Sequence, residues 1–223
     1  MGFILAIDGP AGAGKSTVAR LVAERLGFCL VDTGAMYRCV ALRAAERGID
    51  WLDDARLGTL AIDLRLEFQL ANGTNRVFLD GADVTESIRQ PELSKGASAV
   101  AARPAVREAL LGLQRRLAKS EKAGVVLEGR DIGTVVCPDA NVKVFLTASP
   151  ETRARRRFEE LSAKGASTTF EAVLADQLAR DRDDENRPIA PLKAAADAIR
   201  VDTTGLETEE VVLHIASLVR QHH

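Results

Sequence analysis

The sequence predicts an α/β fold in which helices cover both faces of a mostly parallel sheet, and two patterns carry that expectation. Short β-branched and leucine-rich runs bounded by turn residues recur at residues 3–8, 28–32, 124–129, 141–148 and 198–202, as strands buried on both faces do. Between most of them apolar residues repeat every three or four positions, first Val18, Leu21, Val22 and Leu26, later Val106, Leu110, Leu113 and Leu117. Each set lays one apolar stripe against a sheet, and strands alternating with helices run parallel. With 223 residues, 46% hydrophobic and 28% charged, the chain can bury one substantial core.

The first strand, FILAID, runs directly into GPAGAGKST. In the stretch Gly9, Pro10, Ala11, Gly12, Ala13, Gly14, Lys15, Ser16 and Thr17, the residues Gly9, Gly14, Lys15 and Ser16 fill the pattern G-x-x-x-x-G-K-[ST]. A strand entering and a helix leaving let successive backbone amides converge on phosphate oxygens, and the helix N-terminus adds its dipole. Lys15 can reach the β and γ phosphates of ATP, and the Ser16 hydroxyl can ligate Mg²⁺. The expected architecture is therefore a P-loop NTPase fold with a five-stranded parallel sheet. No guanine-reading N-K-x-D follows, and a motor ATPase would usually be larger. A small-molecule kinase needs instead a second pocket of cations facing the γ phosphate.

One region breaks the alternation. Leu64, Leu66, Phe68 and Leu70 alternate with Arg65, Glu67 and Gln69, then come Asn72-Gly73 and a second β run at 76–80. Period two followed by that dipeptide predicts a hairpin. With the helical stretch near Leu93 to Ala102 it forms a small antiparallel β/helical insertion at 60–103, leaving 1–59 and 104–223 as the core.

Candidates for the second pocket lie just past the strand ends, where ligands of parallel sheets collect. TGAMYR (33–38) supplies Thr33 and Arg38, and RDIGT (130–134) supplies Arg130 and Asp131. In RDRDDENRP (180–188), Arg180, Asp184 and Arg187 share a helical face. In RARRR (153–157), Arg153, Arg156 and Arg157 share another while Arg155 points elsewhere. Taken alone, each arginine face can equally be a solvated ion-pair stripe.

A formal net charge of -2 argues against a bulk grip on nucleic acid or an acidic membrane, and aromatic residues for stacking on bases are few, at 4%. No apolar run spans a bilayer and no leader pattern opens the chain, so a cytoplasmic protein is expected. Cys29, Cys39 and Cys137 sit among apolar neighbours and read as buried thiols. Met1 and the residues from Gln221 to His223 read as frayed ends.

Taken together, IDGPAGAGKST, VDTGAMYR, EGRDIGTVV, RARRR and RDRDDENRP resemble, in order and separation, the bacterial cytidylate kinases of the nucleoside monophosphate kinase group. The resemblance implies transfer of the ATP γ phosphate to CMP or dCMP with Mg²⁺, by a monomer whose partners are small molecules. It places Gly9 to Thr17 on ATP. Arg38, Arg130 and Arg187, with Thr33 close by, fall near the CMP phosphate. Ser98, Arg107 and Asp131 fall on cytosine, and Arg180 and Asp184 on the ribose. It also implies a short helical lid at 150–166 carrying Arg153, Arg156 and Arg157, which with Lys15, Arg130 and Arg187 are the expected catalytic cations. Glu128 stands where an aspartate is common and Thr33 where a serine is also found, and Glu128 could orient a water bound to Mg²⁺. The alternatives are another nucleoside monophosphate kinase, acting on UMP or AMP, and a non-catalytic P-loop switch module.

Overall fold

The computed structural model describes residues 2–120, 122–163 and 165–222. Five strands, β1 (Phe3–Asp8), β2 (Cys29–Asp32), β6 (Gly124–Gly129), β7 (Val142–Thr147) and β8 (Ile199–Asp202), form one parallel sheet in the order β2-β6-β1-β7-β8. The five predicted runs supply these strands with ends shifted by at most one residue.

Because successive side chains leave a strand on opposite faces, the central strands feed two cores. Phe3, Leu5, Ile7, Val126, Val144 and Leu146 pack with α1 (Lys15–Leu26) and the terminal α8 (Thr208–His222). Ile4, Ala6, Val125 and Leu127 pack on the other side with α2 (Thr33–Glu46), α3 (Asp54–Ile62), α4 (Pro91–Ala101) and α5 (Pro104–Ala118). That second core also takes in Leu66, Val77 and Leu79 from the antiparallel element. Helices α6 (Pro150–Ala163) and α7 (Phe170–Asn186) follow β7 and pack on each other.

The antiparallel element joins β3 (Leu66–Ala71) to β4 (Thr74–Leu79) through Asn72 and Gly73, both at positive φ (51° and 72°), as the tight hairpin turn requires. A short third strand, β5 (Ala82–Asp83), was not foreseen; it follows a second such turn at Asp80-Gly81, φ 52° and 83°. Residue 60, the expected start of the insertion, falls inside α3, and residue 103 lies between α4 and α5.

Two expectations are corrected. Cys39 and Cys137 are buried, but Cys29 opens the edge strand β2 and is exposed. Helix α8 continues through Gln221 and His222, whose Nδ1 lies 2.8 Å from the Leu218 carbonyl oxygen, so that end is helical. Met1 and His223 lie outside the described residues, as does Lys164 within the expected lid. Among the described residues no helix is long and apolar enough to cross a membrane.

Candidate active site

The site begins where β1 ends. Gly9 follows at φ 150°, with the β7 backbone so near that a Cβ there would meet the Leu146 oxygen at 2.0 Å. A side chain is excluded, and the loop can leave the sheet between two neighbouring strands. Gly14 (φ 87°) caps α1 in the left-handed conformation, which turns the chain into the helix. Lys15 is buried and its Nζ donates to the Pro10 carbonyl at 2.7 Å. The Ser16 hydroxyl donates to Glu128 Oε2, from the neighbouring β6, at 2.9 Å.

Burial, then the nearby Asp32 charge, holds the Glu128 carboxyl above its ordinary range, while burial, then the Arg130 charge, holds the Lys15 ammonium well below its own. Ser16 and Glu128 offer the hard oxygen donors that Mg²⁺ takes. No group of three or more His, Cys, Asp or Glu among the described residues could hold a metal. A cation here would therefore draw its other ligands from phosphate and water, as Mg²⁺ at nucleotide sites commonly does.

Asp8 gave no sequence signal beyond closing a strand. Its buried carboxylate accepts from the Ile132 and Gly133 amides, each at 2.8 Å, which fixes the RDIGT segment against the loop. Burial pushes its pKa up to about 6 despite those two bonds. Asp32, also strand-final, caps α2 through the Ala35 amide (2.9 Å) and holds Arg38 Nη2 at 2.7 Å.

Opposite the loop the structure gathers part of the predicted acceptor set. Arg130 Nε donates to Asp184 Oδ2 at 3.0 Å, and Arg187 Nη1 lies 3.8 Å from Asp184 Oδ1. Arg107 and Asp131 form a buried ion pair, with the Arg107 guanidinium 5.6 Å from the Tyr37 ring centroid. Arg38 Nε and Arg180 Nε are buried with no partner among the described residues. Burial, then the charge of Arg130, pushes Arg180 down to about 10, and Arg38 and Arg157 act in the same direction. Arg130, Arg38 and Arg157 thus press on Arg180, and Arg130 and Arg180 in turn press on Lys15.

Other predicted residues are placed differently. Thr33 is buried and its hydroxyl is committed to the Glu128 carbonyl at 2.7 Å. Ser98 bonds within its own helix, to the Ser94 carbonyl at 3.4 Å, and makes no hydrogen bond to Arg107 or Asp131. Arg153, read as a lid residue, is 5% exposed; it donates to the Ala148 and Ala11 carbonyls at 3.0 Å each and pairs with Asp181 at 2.7 Å. Arg156 bonds Thr203 Oγ1 and O at 3.1 and 2.9 Å, beside Gly14, and Arg157 holds Glu160 at 2.8 Å. Arg155 does point elsewhere, its guanidinium 5.2 Å from the Phe170 ring centroid.

A parallel sheet whose first strand delivers a phosphate-cradling loop, with cations crowded across from it, defines a P-loop kinase. The cytidylate kinase family model matches residues 5–221. The chain is 51% identical over 99% of its length to a cytidylate kinase of Geobacter sulfurreducens, covering 94% of that protein. It is 54% identical over 96% of its length to one of Pelotomaculum thermopropionicum, covering 95%. The chain belongs to the cytidylate kinase family. An uncharacterized protein from Eubacterium ventriosum shares the overall fold in its crystal structure, at a TM-score of 0.56 and 13% identity over 99% of both chains.

Proposed function

We propose that the protein transfers the γ phosphate of ATP to CMP or dCMP, giving ADP and CDP or dCDP. The observation that carries this is the cluster of mutually repelling cations, with Lys15 and Arg180 both driven below their ordinary pKa ranges. Such a cluster stabilises a polyanion far better than it tolerates its own company. Lys15 and the loop amides hold the donor phosphates; Arg38, Arg130, Arg180 and Arg187 hold the acceptor phosphate and ribose with Asp184. Ser16 would hold Mg²⁺, with Glu128 placed to orient a water on it, and the ion would supply charge neutralisation at the donor phosphates. The acceptor phosphate is largely a dianion at neutral pH, with a second pKa of about 6, so no side chain has to remove a proton. Positioning and charge neutralisation do the chemistry.

The Arg107–Asp131 pair supports cytosine as the base. Cytosine presents an amino donor at N4 and acceptors at N3 and O2, and the pair presents one acceptor beside several donors. Uracil reverses two of those edge positions and would leave buried charges unmatched. Residues 60–103 are read as the monophosphate-holding insertion and 150–166 as the lid, in a cytoplasmic monomer.

The test is ADP formation from Mg-ATP with CMP, dCMP, UMP and AMP supplied separately, alongside Lys15→Ala. CMP or dCMP should react fast and AMP slowly, and Lys15→Ala should lose roughly 10²–10³-fold in kcat. Equal background with every acceptor would overturn the kinase reading, and a near-normal Lys15→Ala rate would overturn the role of the loop.

A further inference from the structure

The phosphate loop is held from outside at one atom. The carbonyl oxygen of Ala11, at the loop's apex, accepts from Arg153 Nη1 on α6 at 3.0 Å and from Gln177 Nε2 on α7 at 3.1 Å. Both lone pairs of that oxygen are thereby used. Neither donor is casually placed: Arg153 is 5% exposed, Gln177 7%, and Asp181, which pairs with Arg153 at 2.7 Å, 8%. The apex fits closely against them, since a Cβ on Gly12 would lie 3.0 Å from Arg153 Cβ and 3.1 Å from Gln177 Nε2. In a trans peptide the carbonyl and the next N–H are coplanar and point opposite ways. Drawing the Ala11 oxygen toward α6 and α7 therefore turns the Gly12 N–H to the other side of the peptide plane.

Gln177 and Asp181 lie one turn apart on α7, on an edge adjoining the one that carries Arg180, Asp184 and Arg187. The second edge is tied across the cleft by Arg130 to Asp184 at 3.0 Å. One helix thus touches the loop apex along one edge and the proposed acceptor site along the next. Asp181 Oδ1 is buried with no partner among the described residues, so the carboxylate is only half satisfied, and a shift of α7 can change how it holds Arg153.

The geometry points to Gln177 and Asp181 as positioning residues. They set the aim of the Gly12 amide, and through α7 they make the phosphate loop bind ATP more tightly when the acceptor is seated. The coupling half rests on the acceptor reading of Arg180, Asp184 and Arg187; the aiming half does not.

Gln177→Met keeps the side chain's bulk and removes its N–H donors. Calorimetric titration of the full chain with a non-hydrolysable ATP analogue, without acceptor, should show about fivefold weaker binding by this variant, the scale of one net hydrogen bond. Saturating CMP should tighten the analogue on the wild-type protein but not on Gln177→Met. Affinity for CMP alone should not change, since Gln177 bonds the loop and not the acceptor residues, while the analogue's tightening of CMP should vanish with its reciprocal. In turnover, KM for ATP should rise while KM for CMP without ATP-site saturation stays put. A Gln177→Met protein that melts earlier yet keeps wild-type analogue affinity and wild-type coupling would make Gln177 a packing residue and overturn the proposal. If that variant does not fold, Asp181→Asn, which weakens the hold on Arg153, is read by the same two titrations. The acceptor-free titration decides the aiming role alone; a wild-type chain that binds CMP without tightening the analogue would overturn the coupling half, whereas one that binds no CMP would count against the kinase reading instead.

Discussion

Asp8 shows how one residue can organise a site while leaving almost no trace in the sequence. Its partners, the amides of Ile132 and Gly133, lie more than a hundred positions away, and only the parallel pairing of β1 with β6 brings them near. The structure holds its pKa at about 6 against 3.8 for an ordinary aspartate. The folded state therefore keeps a proton that the unfolded chain releases. The stabilisation associated with that proton is full below about pH 4 and is lost as the pH rises through 6. At 1.36 kcal/mol per unit the loss amounts to about 3 kcal/mol. Urea unfolding at pH 4.5 and 7 should show this slope in the difference between wild type and Asp8→Asn; a difference independent of pH would mean that Asp8 titrates normally. The arginines of α6 teach the complementary lesson. Spacing correctly put Arg153, Arg156 and Arg157 on one face, but it could not say that α7 would cover Arg153. Gln177, which helps hold the loop there, lies outside every motif, and Asp181 lies within RDRDDENRP but off the face that Arg180, Asp184 and Arg187 share.

At the scale of elements, the sequence was informative where the physics is local. The five parallel strands were visible because each is a short run rich in β-branched residues and leucine bounded by turn residues, even where Lys143 interrupts β7 and Arg200 interrupts β8, and the β3–β4 turn was visible because Asn-Gly favours positive φ. β5 escaped because two residues are too short to show a period, although Asp80-Gly81 gave the same turn signal. Helix-on-helix packing was not visible. At Gly58, α3 meets α5 so closely that an added Cβ would stand 2.6 Å from Ala105 Cβ and 3.4 Å from the Ala105 carbonyl carbon. Gly58→Ala gains up to about 1 kcal/mol of helix propensity and loses about 1–3 kcal/mol to overpacking. It should destabilise the protein by about 1–2 kcal/mol in denaturant titration; an unchanged or higher midpoint would show that α3 can slide off α5 without penalty.

The whole molecule places its catalytic machinery between two cores that share one sheet, so the loop, the strand-end carboxylates and α7 are all set by the same five strands. The general location of the site was legible, since ligands of parallel sheets gather beyond the strands' C-terminal ends. Which polar groups satisfy one another there was not, because that depends on side chains brought together from five separate segments. The crowd of cations has a consequence for the protein without nucleotide. Their repulsion opposes folding, and any anion that relieves it binds the folded chain alone, so stability should rise with ligand as RT ln(1 + [L]/Kd), about 2.7 kcal/mol at a hundredfold excess over Kd. For a chain of this size that is roughly 5–10 °C in Tm. Millimolar pyrophosphate should therefore raise the melting temperature by several degrees where chloride at equal ionic strength does not; equal shifts would mean that the cations do not share one cleft. The empty enzyme is the perishable one, and how long each copy escapes unfolding and proteolysis depends in part on how much nucleotide surrounds it.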